Sequence, residues 1–294
     1  MRDVTSIPTE LWRSIVTIAC TDGGFTGTSL ALTSKFFHAQ SRGLRFHSLA
    51  LNSLRQLEGF CTFLQLQPQE GKPRIEHLYL SFFNVPQILR SDPKYAALRR
   101  GRSMEFDDWT TEVQARWNER LTAAWTTLIT LAATTLRTLC IVEEDEPLPL
   151  EFPCDLPRLE ELSWRGYIRA FRPPSLHGPR GSLRRFPSLD RVHFVSGDSD
   201  SVVAALAAAV PSSLTHLRIS NVSDGDGKLP AALARALGLP PPQVPDETLP
   251  HLRSVVIHAI PPDAGGPCCW AGEEEEEVEF EIVFKDDPSE SKDE

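Results

Sequence analysis

Residues 74–80 read Arg-Ile-Glu-His-Leu-Tyr-Leu, and residues 158–164 read Arg-Leu-Glu-Glu-Leu-Ser-Trp. Each carries an apolar residue, two variable positions, an apolar residue, one variable position and a third apolar residue. The last two apolar positions are two residues apart, so on a strand they share one face. The first reaches the same side from the incoming turn. Besides Ile75, Leu78, Leu80 and Leu159, Leu162, Trp164, the phrase occurs as Phe46, Leu49, Leu51 and as Leu136, Leu139, Ile141. It returns as Leu189, Val192, Phe194, as Leu214, Leu217, Ile219, and as Leu252, Val255, Ile257. Successive phrases begin 29, 61, 23, 30, 25 and 38 residues apart. Five follow a proline or serine turn, as in KPRIEHL, LPRLEEL, FPSLDRV, PSSLTHL and LPHLRSV, which suits a strand that starts from a tight loop.

The shorter spacings resemble those of a leucine-rich repeat, and the gap of 61 is about two repeats long. The resemblance implies an α/β fold in which phrase strands line up in a parallel sheet and the intervening segments return the chain. Leu54, Leu57, Cys61 and Leu64 form one stripe at helical spacing, and Val113, Trp117, Leu121, Trp125 and Leu128 form a longer one. The alanine-rich runs Val202–Val210 and Leu229–Leu239 also favour helix. The consensus Asn or Cys three residues after each phrase is missing: Leu54, Phe83, Glu144, Tyr167, Gly197, Val222 and Ile260 stand there. The expected array is therefore irregular, and a mixed α/β domain whose strands share only composition would give the same phrases. Residues 84–111 have weak periodicity and read as an insertion within the array.

Ahead of the first phrase, Ile7-Pro8-Thr9-Glu10-Leu11 opens with a helix start signal, proline in the first turn with an acid behind it. Ile7, Leu11, Ile15 and Ile18 then repeat at helical spacing and form one apolar stripe. The glycine-rich TDGGFTG breaks that helix, and Ser29–Ser41 reads as a second amphipathic helix. Ile7-Pro8-Thr9-Glu10-Leu11 and Leu30-Ala31-Leu32-Thr33-Ser34-Lys35-Phe36-Phe37 resemble, in order, the opening and closing of the F-box, with Ile7, Thr33 and Phe37 where Leu, Val and Trp are usual. A short F-box-like start followed by loose leucine-rich strands is similar to F-box-like proteins numerous in mushroom-forming fungi. The resemblance implies binding of a Skp-type adaptor through the N-terminal helices and delivery of a repeat-held target protein to a cullin-RING ubiquitin ligase. On it, Ile7, Pro8, Leu11, Ile15, Leu30, Leu32 and Phe37 would be the adaptor-facing or module-core set. The alternative is that these helices only cap the end of the array, as terminal repeats require.

The organisation expected is an F-box-like helical module over 1–45, a divergent leucine-rich-repeat solenoid over 46–260, and an acidic tail over 261–294, partly disordered with one extra strand. The net charge of -10 comes from the last 22 residues, where 12 acids face Lys285 and Lys292, so the body is neutral. That balance disfavours a nucleic-acid binder. With no stretch of 18 apolar residues and no signal-peptide pattern, the expectation is a chain outside membranes, cytoplasmic or nuclear. In VEFEIVF, Val278, Phe280, Ile282 and Phe284 alternate with mostly charged residues, the pattern of an additional strand.

Motifs for catalysis are missing: there is no Gly-x-Ser-x-Gly and no His-Glu-x-x-His. Six cysteines hold no C-x-x-C pair, and the adjacent Cys268 and Cys269 make a poor chelate alone, so neither metal nor cofactor is expected. His77, His193 and His216 fall inside phrases at positions expected to face solvent. Arg158–His193 holds eight arginines against three acids, with Trp164, Tyr167, Phe171 and Phe186 interleaved. Arg165, Arg169, Arg172, Arg184 and Arg185 are the candidate target surface, although a solvated loop or a nucleic-acid contact would have the same composition. The reading is thus a non-enzymatic substrate receptor, with a repeat-based interaction scaffold without a ubiquitin role as its alternative.

Overall fold

The computed structural model describes residues 8–67, 73–82, 104–143, 150–166, 186–196, 202–203, 205–206, 213–223, 254–260 and 278–283. Its contacts divide the chain into two compact units, Met1–Arg158 and Leu159–Glu294. The first contains helices α1 (Thr9–Ala19), α2 (Phe25–Thr33) and α3 (Lys35–Ser41), strand β1 (Ser48–Leu51), helix α4 (Leu54–Leu66), strand β2 (His77–Phe82), helix α5 (Met104–Ala132) and strand β3 (Thr138–Glu143). The second contains β4 (Glu161–Arg165), β5 (Arg191–Val195), β6 (His216–Ser223), β7 (Ser254–Ile260) and β8 (Val278–Val283). The architecture is mixed α/β with parallel strands. In the first unit β1, β2 and β3 pair in parallel; in the second β4, β5, β6 and β7 do so, and β8 joins β7 antiparallel. No helix among the described residues is long and apolar enough to cross a membrane.

Strands β1 to β7 each coincide with one of the seven phrases. The registers align equivalent positions, Leu49 with Leu78 and Leu139, and Leu162 with Val192, Leu217 and Val255. Among phrase residues whose side chains are described, all are buried except Phe46, which is half-buried against Phe60 and Phe63 of α4. Burying these side chains contributes about 1.5–3 kcal/mol each and sets the register, because a slip of one residue would turn the apolar set outward.

Adjacent phrases are tied where each strand begins. The carbonyl of His47 accepts from the N–H groups of Glu76 and His77 at 2.9 and 3.0 Å, and the Glu76 carbonyl accepts from Arg137 and Thr138 at 2.8 and 3.0 Å. In the second unit the Glu160 carbonyl accepts from Asp190 and Arg191, and the Asp190 carbonyl from Thr215 and His216, at 2.9 to 3.1 Å. A side-chain clasp adds to this ladder. The hydroxyl just before a phrase donates to the carbonyl of the preceding phrase's first apolar residue, Thr135 to Ile75 at 2.7 Å and Ser213 to Leu189 at 2.9 Å. These bonds join successive turns where no consensus asparagine is available. Thr135→Val keeps the shape and leaves the Ile75 carbonyl without its hydroxyl, so a loss of about 1 kcal/mol in denaturant melts is expected.

The return helices follow the sequence stripes. Ser53 caps α4 by accepting from the Gln56 N–H at 3.2 Å, while the Gln56 side chain accepts from the Asn52 N–H at 2.7 Å, a reciprocal cap. Leu54, Leu57, Cys61 and Leu64 are its buried face, and Trp117, Leu121, Trp125 and Leu128 that of α5. The two helices meet where the Cys61 thiol donates to the Ala124 carbonyl at 3.3 Å; burial pushes that thiol up to about 11. α5 begins at Met104, so residues 104–111 of the stretch expected as an insertion are helical. The expected second N-terminal helix is two. Ser34 is extended, and its hydroxyl accepts from the Phe37 N–H at 3.2 Å, ending α2 and capping α3. α2 also starts earlier than expected, at Phe25 within the glycine-rich break. The run at Val202 is helical at 202–203 and 205–206, while Leu229–Leu239 lies outside the described residues.

Candidate partner-docking surfaces

In the N-terminal helices the packed side and the open side are distinct. Trp12 of α1 meets Phe36 and Phe37 edge-on at 6.1 and 5.1 Å between centroids, and Val16 and Cys20 are buried. The stripe seen in the sequence is on the other side. Leu11 is 55%, Ile15 49% and Ile18 75% exposed, and Phe25 and Leu32 of α2 are 77% and 84% exposed. Of the expected adaptor-facing or module-core set, Pro8, Leu11, Ile15 and Leu32 are therefore exposed, Leu30 is half-buried, and Phe37 belongs to the aromatic cluster with Trp12. Ile7 lies outside the described residues. Phe25, which the sequence reading passed over, sits directly after Gly23-Gly24, where composition reads as linker.

That glycine-rich connector is a fitted joint. The Gly23 carbonyl accepts from the Ala50 N–H of β1 at 3.2 Å, and the Gly23 N–H donates to the Ser48 hydroxyl at 3.2 Å. That hydroxyl in turn donates to the Thr21 carbonyl at 3.3 Å. Asp22 accepts from the Thr26 hydroxyl and N–H, which hold its carboxyl below the usual range. At Gly23 φ is +76°, and an added Cβ would lie 2.8 Å from that of Ala50; at Gly27 it would lie 2.6 Å from the Arg45 Cα. Gly27→Ala is expected to cost about 1–3 kcal/mol through this backbone clash, read as a lowered Tm.

The second surface is the outer side of β4, β5 and β6. With Leu162, Trp164, Val192, Phe194, Leu217 and Ile219 buried, alternation places Arg165, Arg191, His193, His216 and Arg218 on the opposite face. Arg191 pairs with Glu161 at 2.8 Å, and His193 Nε2 lies 3.2 Å from the Ser220 hydroxyl. Arg165, expected in the target surface, is exposed on this face at the end of β4. Arg169, Arg172, Arg184 and Arg185 lie outside the described residues, as does the acidic run Glu273–Glu277. Among the described residues Arg191 and Arg218 are the other exposed arginines of these strands; Arg191 belongs to the arginine-rich stretch, and Arg218 was legible only as a phrase position.

A third group lies where β1, β2 and β3 begin. Ligand atoms of His47, Glu76 and His77 are within 4.8 Å of one another, the residue set that would hold a metal ion. The carboxylate is already countered. Arg74 Nε is 2.7 Å and His47 Nδ1 3.6 Å from Glu76 Oε1, and Arg137 is 3.9 Å from Oε2. His77 turns its Nδ1 to the Thr138 hydroxyl. A divalent cation would have to displace a guanidinium from the oxygen it needs, so the group reads as an ion cluster joining strand starts. No family model matches the chain, and no curated protein matches it.

Proposed function

We propose that this chain is the substrate-recognition subunit of a Skp-cullin-F-box ubiquitin ligase. Its N-terminal helices bind the Skp-type adaptor, the phrase strands hold a target protein, and the chain contributes no catalytic step of its own. The reading places it in the cytoplasm or nucleus, where such ligases act, and treats helices and strands as an F-box-like module followed by a divergent leucine-rich-repeat solenoid. The observation that carries it is the set of exposed apolar side chains on α1 and α2: Leu11, Ile15, Ile18, Phe25 and Leu32. A monomer gains nothing by leaving such side chains wet, whereas a hydrophobic groove on a partner would gain about 1.5–3 kcal/mol for each one buried. Helical anchors at spacings of three and four residues suit a helix-in-groove contact.

Co-expression with the Skp-type adaptor tests the proposal. The unaltered chain should co-purify with it, and Leu11→Asp with Leu32→Asp should abolish the complex while melting unchanged, because both residues are exposed. A complex that survives the double substitution contradicts the assignment of this face.

A second reading, a repeat scaffold without a ubiquitin role, is favoured by the connector. Thr21, Gly23 and Gly24 are bonded or packed against β1, so the connector between α1 and α2 covers part of the first strand whether or not an adaptor binds. A folded chain that ignores the adaptor would leave this reading standing.

A further inference from the structure

We infer that the guanidinium of Arg45 and the ring cluster beneath it, at the turn leading into β1, receive an acidic side chain of a partner protein together with an apolar residue beside it. The site lies within the first unit and uses none of the exposed set on α1 and α2, so it stands or falls apart from adaptor binding. Phe46, Phe60 and Phe63 form the cluster, with ring centroids 5.2, 5.4 and 6.0 Å apart. The Arg45 guanidinium carbon lies 4.6 Å from the Phe46 centroid and 5.6 Å from that of Phe63. Its backbone is fixed there: the Arg45 N–H donates to the Ser41 carbonyl at 2.8 Å, and Gly27 packs directly against its Cα. Arg45 and the three phenylalanines are each half-buried, so part of the cluster is open to a partner. Leu66, three residues after Phe63 on α4, is 78% exposed.

This guanidinium is charged, partly dry and unmatched. Its Nε is shielded from water without an acceptor, and it pairs with no carboxylate among the described residues. From Gly23 to Leu57 the chain carries Lys35, Arg42, Arg45 and Arg55 and no Asp or Glu. The acids around this stretch are already engaged. Asp22 accepts from Thr26, Glu58 holds Arg120 through both oxygens at 2.7 and 2.6 Å, and Glu76 holds Arg74 at 2.7 Å. Covering the rings does not itself call for a charge, because a methionine would cover them without a desolvated donor. An incoming carboxylate would accept from the guanidinium fork, and an apolar neighbour in the same segment would rest on Phe63 and Leu66. A nucleic acid fits less well. It needs a row of cations along its backbone and open ring faces for its bases, and here the face of Phe46 is taken by Arg45.

The test is fluorescence anisotropy of a labelled peptide with a central Glu-Phe pair, titrated with the full chain at low and high salt. The same peptide with Gln-Phe or Glu-Ser at its centre and a labelled single-stranded RNA serve as comparators. The Glu-Phe peptide should bind, weaken with salt, and bind more tightly than either altered peptide. Arg45→Met keeps an apolar stem over the rings and removes the charge, so affinity should fall about tenfold or more while the Tm holds. Arg45→Lys keeps the charge without the fork and should lie between. Arg116→Met, at an exposed position on α5, should leave binding unchanged. Should Arg45→Met melt lower, the peptides decide on the unaltered chain: Gln-Phe bound as tightly as Glu-Phe overturns the inference. Equal binding by Arg45→Met, no binding of the Glu-Phe peptide, or RNA held more tightly than that peptide would each overturn it as well.

Discussion

Replacing Trp125 by alanine is expected to destabilise the unit Met1–Arg158 by about 3–5 kcal/mol, the range for emptying a buried indole site. Trp125 is wholly buried on α5, packs edge-on against Phe152 at 5.7 Å, and donates from Nε1 to the Glu151 carbonyl at 2.7 Å. It thereby pins the segment around Leu150, Phe152 and Leu156, all buried, to the helix that precedes β3. Trp125→Phe separates the two contributions. It keeps most of the apolar contact and forfeits the hydrogen bond, so a loss nearer 1–2 kcal/mol is expected. Urea melts of both variants check this, and a loss below about 1 kcal/mol for the alanine variant would show that Trp125 is not the anchor of that packing.

The second large effect concerns the edge of the second unit. β8 pairs antiparallel along the whole of β7 except its last residue, Phe280 opposite Ile257 and Ile282 opposite Val255, with Glu279 and Glu281 at the alternate register positions. Because Ile257 is buried, this register puts positions 278, 280 and 282 on the face of Ile257, and position 283 with Glu279 and Glu281 on the other. Ending the chain after residue 277 leaves the row of β7 backbone groups without a partner, a template for pairing with another copy. Light scattering should then show a concentration-dependent rise in mass relative to the full chain, together with a lower Tm. Truncation also removes acidic charge, so Phe280→Pro is the companion variant: it keeps the charge and interrupts the β7–β8 ladder. Unchanged mass and Tm in both variants would contradict the edge-closing role of β8.

The strands were legible because two apolar residues at a spacing of two, behind a turn, admit little else, and the α4 and α5 stripes because leucine, tryptophan and cysteine recur every three or four residues. What escaped the sequence depends on contacts between distant residues. Arg74, Glu76 and Arg137 meet only because the β2–β3 register aligns Glu76 with Arg137 at the strand starts. Thr135 and Ser213 look like ordinary turn residues until the preceding phrase is laid beside them. The break at Ser34 hid because Leu30, Thr33, Phe37 and Gln40 keep helical spacing across it, although a serine three residues before Phe37 was available as a cap. The Leu11, Ile15 and Ile18 stripe was legible as a stripe but not as an open face. Ordinarily such a stripe packs inward, and here Trp12, Val16 and Cys20 fill that role instead.

Hydrogen exchange of the full chain, alone and mixed with the Skp-type adaptor, reads directly whether the N-terminal helices dock on it. Docking should slow exchange across Thr9–Thr33, where the exposed apolar side chains lie, and leave β1, β2 and β3 unchanged because their amides are already bonded in the sheet. Protection confined to the strands, or none with adaptor in excess, would contradict it.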